Sequence, residues 1–352
     1  MKKQYVAYVG SYTYIGNSKG LTILDIDMDK GIMTPRKEIA VHNASYVSIS
    51  KDGKNLYSIT DDGIVSFKIL PDGDLEYMSQ ATIRGMRGCH ISTDRRAKYM
   101  LVSGYHDGKL TVLNVNKDGS AGSIVDGFYD KGIGSAAERN SNPHISCARF
   151  TPDEKFICAA NRGIDQIKVF SLKKNTNKLN LEDIIHFEQH SAPKSFVFSR
   201  DGRFMYVISA NKSYISVYSY DGSGNYPNFE LLQRISTMGK THTIVNEGSA
   251  VRLSLDGKLL LCSNTGDNSI GVYDRNAETG LLTQLAVLPV SGEYPKDIGM
   301  IPGTDFIYSV NHESSTMTFF TWVPGKNYFY MHANPLHIDQ PNRCALVELG
   351  RQ

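Results

Sequence analysis

The sequence has few of the features that mark metal centres, membrane spans or nucleic-acid surfaces. Its five cysteines are scattered without a C-x-x-C pair, so buried reduced thiols are expected rather than a zinc site. Thirty-eight Lys and Arg face 36 Asp and Glu, and a formal charge of +2 gives no footprint for nucleic acid. No apolar run is long enough to span a membrane or to form a signal-peptide core. These absences predict a cytoplasmic protein that binds neither nucleic acid nor membrane.

Sequence motifs of common catalytic sites are also missing. There is no H-E-x-x-H, no D-x-D-x-D-G loop, no G-x-S-x-G elbow, no Walker loop and no dinucleotide fingerprint. We therefore expect no metal and no cofactor, and covalent nucleophilic catalysis is not indicated. No helical periodicity lasts beyond about two turns, which argues against an α-helical domain.

What the sequence does contain is one β unit, used repeatedly. Residues 142–170 hold three runs of β-favouring residues separated by two tight turns, a pattern typical of an antiparallel meander. The same pattern returns at 195–218, 250–273 and 297–320. A repeat of this length predicts one closed or stacked array rather than several unrelated domains.

Aligning the units on their second run gives seven copies. They are YVAYVGS (5–11), NLYSIT (55–60), KYMLVSG (98–104), KFICAAN (155–161), RFMYVIS (203–209), KLLLCSN (258–264) and DFIYSVN (305–311). The first copy lacks a preceding run, whereas CALVEL (344–349) is a surplus run at the C-terminus. Pairing the two ends would close a ring and hide both sheet edges. We predict an all-β, seven-bladed β-propeller over residues 1–352; an open β-solenoid is the alternative.

Two positions in each blade are expected to converge on the mouth of the central channel. Antiparallel strands place the start of strand one and the end of strand two on the same face. Lys194 and Lys296 occupy equivalent positions at the start of strand one, each after a proline. Two ammonium groups there could clamp one anion, or they could be solvated lysines at the rim.

Residues at the end of strand two supply further candidates. Asn161, Asn264 and Asn311 are equivalent, and they could contact substrate or simply form turns. Arg162 and His312 follow two of them. A guanidinium facing the channel is well suited to bidentate recognition of carboxylate or phosphate.

Histidines near strand one are candidates for proton transfer. His144 precedes the strand of the central unit, and Arg139, Glu138 and Arg162 lie in the same unit. His90 begins HISTD (90–94). An imidazole is suited to proton transfer near neutral pH, although a single histidine is more often structural.

Motifs spread over the whole chain resemble the lactonase family of seven-bladed propellers, which includes propeller-type 6-phosphogluconolactonases. These motifs are YVGSYT (8–13), GCHISTD (88–94), RNSNPH (139–144), NRGIDQIKVF (161–170) and SLDGKLLLCSNTGDNSIGVYD (254–274). The resemblance implies a propeller fold and hydrolysis of a phosphorylated or acidic sugar lactone. It carries Arg139, His144 and His90 over as site residues, with Lys194 as a partial match.

Several family positions are substituted in this chain. Ser146 replaces the second imidazole of H-x-H, and Lys194 replaces arginine. Ser209-Ala210-Asn211 stands where the family has N-E-L, so a candidate acid is missing, and Thr265 replaces another arginine. The resemblance therefore leaves three hypotheses: a lactone hydrolase, a non-catalytic propeller that binds a small anion or a partner protein, and a cycloisomerase or lyase. In the first, His144 is the base, Arg139 or Arg162 stabilises the oxyanion, and Lys194 and Lys296 hold an anionic group. His90, Asn161 and His312 complete the expected substrate contacts, in a monomer or weak dimer.

Overall fold

The strands of this protein form a ring of seven antiparallel sheets. The structure is a computed structural model that describes residues 3–134, 142–173, 175–239 and 245–350. Within these ranges each sheet has four strands in the order of a meander, and one sheet has a fifth short strand. The predicted all-β, seven-bladed β-propeller is confirmed.

The strands follow one another in chain order around the ring. Blades 1 to 3 contain β1 (Tyr5–Ser11), β2 (Gly20–Asp27) and β3 (Ile32–Ala40); β4 (Val47–Ile49), β5 (Asn55–Thr60), β6 (Gly63–Ile69) and β7 (Leu75–Thr82); and β8 (His90–Thr93), β9 (Tyr99–Ser103), β10 (Lys109–Val115) and β11 (Ala121–Tyr129). Blades 4 and 5 contain β12 (Ile145–Phe150), β13 (Phe156–Asn161), β14 (Gln166–Leu172) and β15 (Leu179–His186); and β16 (Pro193–Phe198), β17 (Phe204–Ser209), β18 (Tyr214–Asp221) and β19 (Asn228–Ser236). Blades 6 and 7 contain β20 (Gly248–Leu253), β21 (Leu259–Asn264), β22 (Ser269–Arg275) and β23 (Leu282–Pro289); and β24 (Pro295–Met300), β25 (Phe306–Asn311), β26 (Thr316–Val323), β27 (Tyr328–Met331) and β28 (Leu336–His337).

The last strand, β29 (Pro341–Glu348), closes the ring. It pairs antiparallel with β1, with Val6 opposite Val347 and Tyr8 opposite Ala345. Blade 1 therefore takes its innermost strand from the C-terminal end of the chain and its other three from the N-terminal end. The predicted closure is confirmed, and β29 covers the inner edge of β1.

Burial along the strands follows their position in the blade. The second strands β1, β5, β13 and β17 are buried at every residue, because neighbouring blades cover both of their faces. The outermost strand β3 is mostly exposed. The core thus lies between blades, as where Val6 and Tyr8 of blade 1 pack with Leu56 and Phe67 of blade 2.

A recurrent Ser/Thr-x-Asp turn joins the first and second strands. In blade 6 the Ser254 hydroxyl donates to Asp256 Oδ1 over 2.6 Å, and the Leu259 N–H donates to Ser254 Oγ over 2.9 Å. Equivalent bonds begin at Ser50, Thr151 and Ser199. Gly257 follows the aspartate with φ +72°, a left-handed conformation that glycine adopts without strain. This repeated turn fixes where the inner strand ends on the far side of the propeller.

No helix long and apolar enough to cross a membrane occurs among the described residues. All five cysteines are free thiols, and Cys147, Cys158, Cys262 and Cys344 are buried.

Candidate functional site

A cavity of about 340 Å³ opens at the face where first strands start and second strands end. Strand pairing creates this arrangement: Ile145 lies opposite Asn161, and Pro295 lies opposite Asn311. Side chains from all seven blades line the cavity. Its basic members are Arg87, Arg162, Lys194, Lys296, Arg252 and Arg343.

Lys194 and Lys296 are held in this cavity by their own strand starts. Each follows a proline, and the residues before those prolines, Ala192 and Tyr294, have φ of +53° and +58°. Proline restricts the backbone just before the lysine. The two lysines therefore line one cavity from blades 5 and 7, as the alignment predicted.

A serine of the preceding blade also fixes each lysine. The Ser146 hydroxyl donates to the Lys194 carbonyl oxygen over 2.6 Å, and Ser249 donates to the Lys296 carbonyl oxygen over 3.3 Å. The Lys296 ammonium donates to Asn342 Oδ1 over 2.8 Å and lies 4.9 Å from the Tyr12 ring centroid. These contacts hold the backbone of both lysines, and the side chain of Lys296, at the mouth of the channel.

Crowding lowers the proton affinity of both lysines. Burial, together with the charge of Lys194, lowers the pKa of Lys296 to about 7. Burial lowers the pKa of Lys194 to about 8, although the nearby Glu247 carboxylate opposes this shift. A bound anion would restore the charge of both groups.

Arg162 and Lys194 share one carboxylate. Arg162 Nη2 lies 2.6 Å from Glu247 Oε1, and Lys194 Nζ lies 4.0 Å from the same oxygen. The Tyr294 hydroxyl donates to Glu247 Oε2 over 3.5 Å. Glu247 directly precedes β20, so it meets these lining residues from the start of a first strand. An acid and three polar partners from neighbouring blades therefore meet at the mouth.

His144 stands beside the cavity and does not line it. Its ring stacks on Tyr105 with centroids 4.4 Å apart, and Tyr105 is a lining residue. His144 Nδ1 lies 2.6 Å from the Tyr105 carbonyl oxygen. Because a carbonyl oxygen only accepts, Nδ1 carries the ring proton and Nε2 of the neutral ring keeps its lone pair.

The other two predicted histidines are buried. His90 lies on the cavity wall with Nε2 3.5 Å from Cys147 Sγ, and burial with nearby arginines lowers its pKa well below the usual value. His312 Nδ1 lies 3.2 Å from the Pro341 carbonyl oxygen, outside the cavity lining. Burial and the charge of Lys296 lower the His312 pKa to about 4. Both rings are therefore neutral at pH 7.

Asn161 is fully buried at the end of β13, away from the cavity lining. Its Oδ1 accepts from the backbone N–H groups of His144 and Gly163, and its Nδ2 donates to Asp130 over 2.7 Å. These bonds are those of a turn-forming side chain. Arg139 lies outside the described residues.

The floor of the cavity is a cluster of two arginines and one aspartate. Asp297 Oδ1 accepts from Arg252 over 2.6 Å, and Oδ2 accepts from Arg343 over 2.6 Å and from the Cys344 N–H over 3.1 Å. Asp297 is 1% exposed. Arg343 also lies 5.2 Å from the centroid of the Tyr46 ring.

The family description "Lactonase, 7-bladed beta-propeller" matches residues 6–343 of this chain. The chain belongs to this lactonase family. A lactonase-type function follows from this membership, and the other two hypotheses are not favoured.

Named proteins and solved structures similar to this chain match about nine-tenths of it or more. A 6-phosphogluconolactonase of Bacillus subtilis is 28% identical over 90% of this chain and 91% of its own length. A 6-phosphogluconolactonase of Formosa agariphila is 27% identical over 89% and 91%. Among solved structures, a putative 6-phosphogluconolactonase from Bacteroides fragilis superposes with a TM-score of 0.88 at 23% identity, covering 98% of both chains. The Pseudomonas aeruginosa periplasmic gluconolactonase PpgL superposes with a TM-score of 0.90 at 22% identity, covering 98% of this chain and 99% of its own. The structural matches support the fold.

The sequence of this lactonase family member predicts only some of the residues that form the site. Tyr105 and Tyr12 occupy the same blade position as Arg162, directly after the aligned second run, so the alignment contained a signal for them. Ser146, which replaces the second family imidazole, now positions Lys194 through its hydroxyl. Glu247 gave no comparable signal, because no other blade has an acid two residues before the lysine position.

Proposed function

We propose that this protein hydrolyses a phosphorylated or acidic sugar lactone in the cavity at the channel mouth. The observation that carries the proposal is the convergence of Arg162, Lys194 and Lys296 on one cavity beside Glu247. Clustered cations favour an anionic substrate. The names of the two 6-phosphogluconolactonases, which match about nine-tenths of the chain, support the same substrate class.

Lactone hydrolysis needs a base, donors for the oxyanion and a proton for the leaving oxygen. Water adds to the carbonyl carbon as a base removes its proton, and the carbonyl oxygen becomes an oxyanion. The bond from carbon to the ring oxygen then breaks, and the ring oxygen takes up a proton to give a hydroxy acid.

His144 is the base in this proposal, because its Nδ1 contact with the Tyr105 carbonyl leaves Nε2 able to accept a proton. Arg162 is the oxyanion donor, and Lys194 and Lys296 hold an anionic group of the substrate. His90 contacts the substrate from the cavity wall. Glu247 is a second candidate for the base, because it is the carboxylate at the mouth that Arg162 and Lys194 contact.

The test is acid release from 6-phosphogluconolactone, measured above the uncatalysed rate with the purified full chain. Removing the base in His144→Gln is expected to lower kcat about 10²- to 10⁴-fold. Removing the oxyanion donor in Arg162→Gln is expected to lower it about 10²- to 10³-fold. His186→Gln, on the exposed end of β15, is the matched control.

Two results would overturn the proposal or its assignment of roles. Absence of any acceleration by the wild-type protein would exclude the reaction. Full activity in His144→Gln with a large loss in Glu247→Gln would transfer the role of base to Glu247.

A further inference from the structure

The cluster of Arg252, Asp297 and Arg343, which forms the floor of the candidate cavity, lies where this cavity meets a second one. We call this part of the central channel the waist. A second cavity, of about 660 Å³, opens on the opposite face of the propeller, where Lys51, Arg95 and Arg200 surround it. Tyr46, Arg252 and Arg343 line both cavities, so they mark the point where the two meet. A ligand that enters the candidate cavity can therefore extend to the waist.

Positive charge at the waist exceeds negative charge. Arg252 and Arg343 share the single carboxylate of Asp297, whose two oxygens already accept three bonds. Arg149 adds a third guanidinium nearby, and its Nε donates to the Phe196 carbonyl oxygen over 2.9 Å. Charges removed from water are costly unless they are paired. Three guanidinium groups and one carboxylate leave an excess of positive charge, which a bound anion would neutralise.

Several polar atoms around the waist are buried without a hydrogen-bond partner. They are Arg252 Nε, Arg343 Nε, Asn342 Nδ2, His90 Nδ1 and Ser45 Oγ. All five residues line the candidate cavity, and His90 and Asn342 are 3% and 7% exposed. Three of these atoms can only donate, and an unsatisfied buried donor is costly. A ligand rich in acceptor oxygens would satisfy them together.

We propose that the waist is a binding site for an oxyanion, either the phosphate of the substrate or free inorganic phosphate. For the substrate, this inference rests on the proposed function and places the lactone carbonyl at the mouth. The lysines then hold the carboxylate formed there, while Arg252 and Arg343 bind a phosphate at the far end of the carbon chain. Two anion subsites along one channel fit a sugar lactone phosphorylated away from its carbonyl.

The first measurement follows binding of inorganic phosphate to the full chain by ³¹P NMR and calorimetry. Arg343→Lys keeps a charge beside Asp297 but loses the guanidinium fork, so phosphate affinity should fall on the order of 10- to 100-fold. Asn342→Asp keeps an acceptor for Lys296 while adding a negative charge, and it should abolish binding. Arg200→Gln, on the exposed rim of the second cavity, is the control and should bind normally.

The second measurement separates free phosphate from substrate phosphate. The ratio of kcat/KM for 6-phosphogluconolactone to that for unphosphorylated gluconolactone should fall on the order of 10- to 100-fold in Arg343→Lys. Equal losses on both lactones would overturn the substrate assignment. Phosphate binding that is lost in Arg200→Gln and retained in Arg343→Lys and Asn342→Asp would overturn the waist site. If neither lactone is hydrolysed, the proposed function fails, and the NMR titration still decides whether the waist binds phosphate.

Discussion

The lowered lysine pKa values at the mouth couple binding of the product carboxylate to protonation. Lys296 and Lys194, with pKa near 7 and 8, lose their charge as pH rises through this range. The carboxylate of the hydroxy-acid product is ionised throughout this range, so its own charge stays constant. We expect the affinity for this product to fall as pH rises from about 7 to 9, and binding of the product to take up protons. Product-inhibition kinetics and calorimetry in buffers of different ionisation enthalpy measure the two effects.

Lys296→Met should weaken binding of the product on the order of 10-fold and reduce the dependence of this binding on pH. The unreacted lactone provides the comparison, because it lacks the carboxylate and its KM should vary less over the same range. Product binding that stays constant through this range in the wild-type protein would contradict the assignment of both lysines.

Asp297 is the residue whose loss should most affect stability at the channel waist. Asp297→Asn removes the negative charge that Arg252 and Arg343 share, and breaking a buried ion pair in this way costs about 3–5 kcal/mol. Asp61→Asn breaks the more exposed pair with Arg87 and should cost less than about 1 kcal/mol. Urea unfolding of both variants measures the difference. Equal losses in the two variants would show that the waist charges are screened.

Sequence alone could locate the lysines because their position depends on local backbone. A proline before each lysine and the repeated strand pattern fixed their face and depth. Glu247 could not be found this way, because its role depends on Arg162 and Lys194, which lie far away in the chain. Asn161 differs from Glu247, because its side chain bonds the backbone of its own turn, a role that the sequence position already suggests.

At the scale of the strand, the closing strand β29 must both pair with β1 and bury apolar side chains between blades 1 and 2. Val347 lies opposite Val6 and is buried in the core between blades 1 and 2. Val347→Asp would bury an unpaired carboxylate, and a loss of more than about 4 kcal/mol is expected. Leu232→Asp on β19 is the matched control, because Leu232 is 41% exposed and should tolerate the change. Chemical unfolding of both variants gives the comparison, and similar stabilities would mean that β29 contributes little to closure.

The strands could be predicted because two independent features of the sequence mark them: apolar runs and recurrent turns. Second strands such as β13 are apolar throughout, since neighbouring blades bury both faces, and Ser/Thr-x-Asp turns mark where first strands end. Outer strands such as β3 were harder to place, because they are mostly exposed and their sequence is less constrained. The short β28, which pairs with β26, has no equivalent in the repeat and was not predicted.

At the scale of the whole molecule, the ring gathers a site from residues that are far apart in sequence. The mouth combines Tyr12 of blade 1 with Lys296 of blade 7, and Lys296 donates to Asn342 on the closing strand. Opening the ring between β1 and β29 would therefore separate parts of the site as well as the fold. Closure and function depend on the same junction.

A covalent bond across this junction should stabilise the whole ring. Val9 lies opposite Cys344 in the pairing of β1 with β29, and both side chains are buried in one core cluster. Side chains of directly opposed residues lie close together, so Val9→Cys places two thiols within reach of a disulfide. The closed loop contains nearly the whole chain, and restricting the unfolded state should add about 5 kcal/mol. Thermal unfolding with and without reductant measures the gain, and Val9→Cys combined with Cys344→Ser is the control that cannot form the bond. If the oxidised variant melts no higher than this control, separation of β1 from β29 does not limit the stability of the propeller.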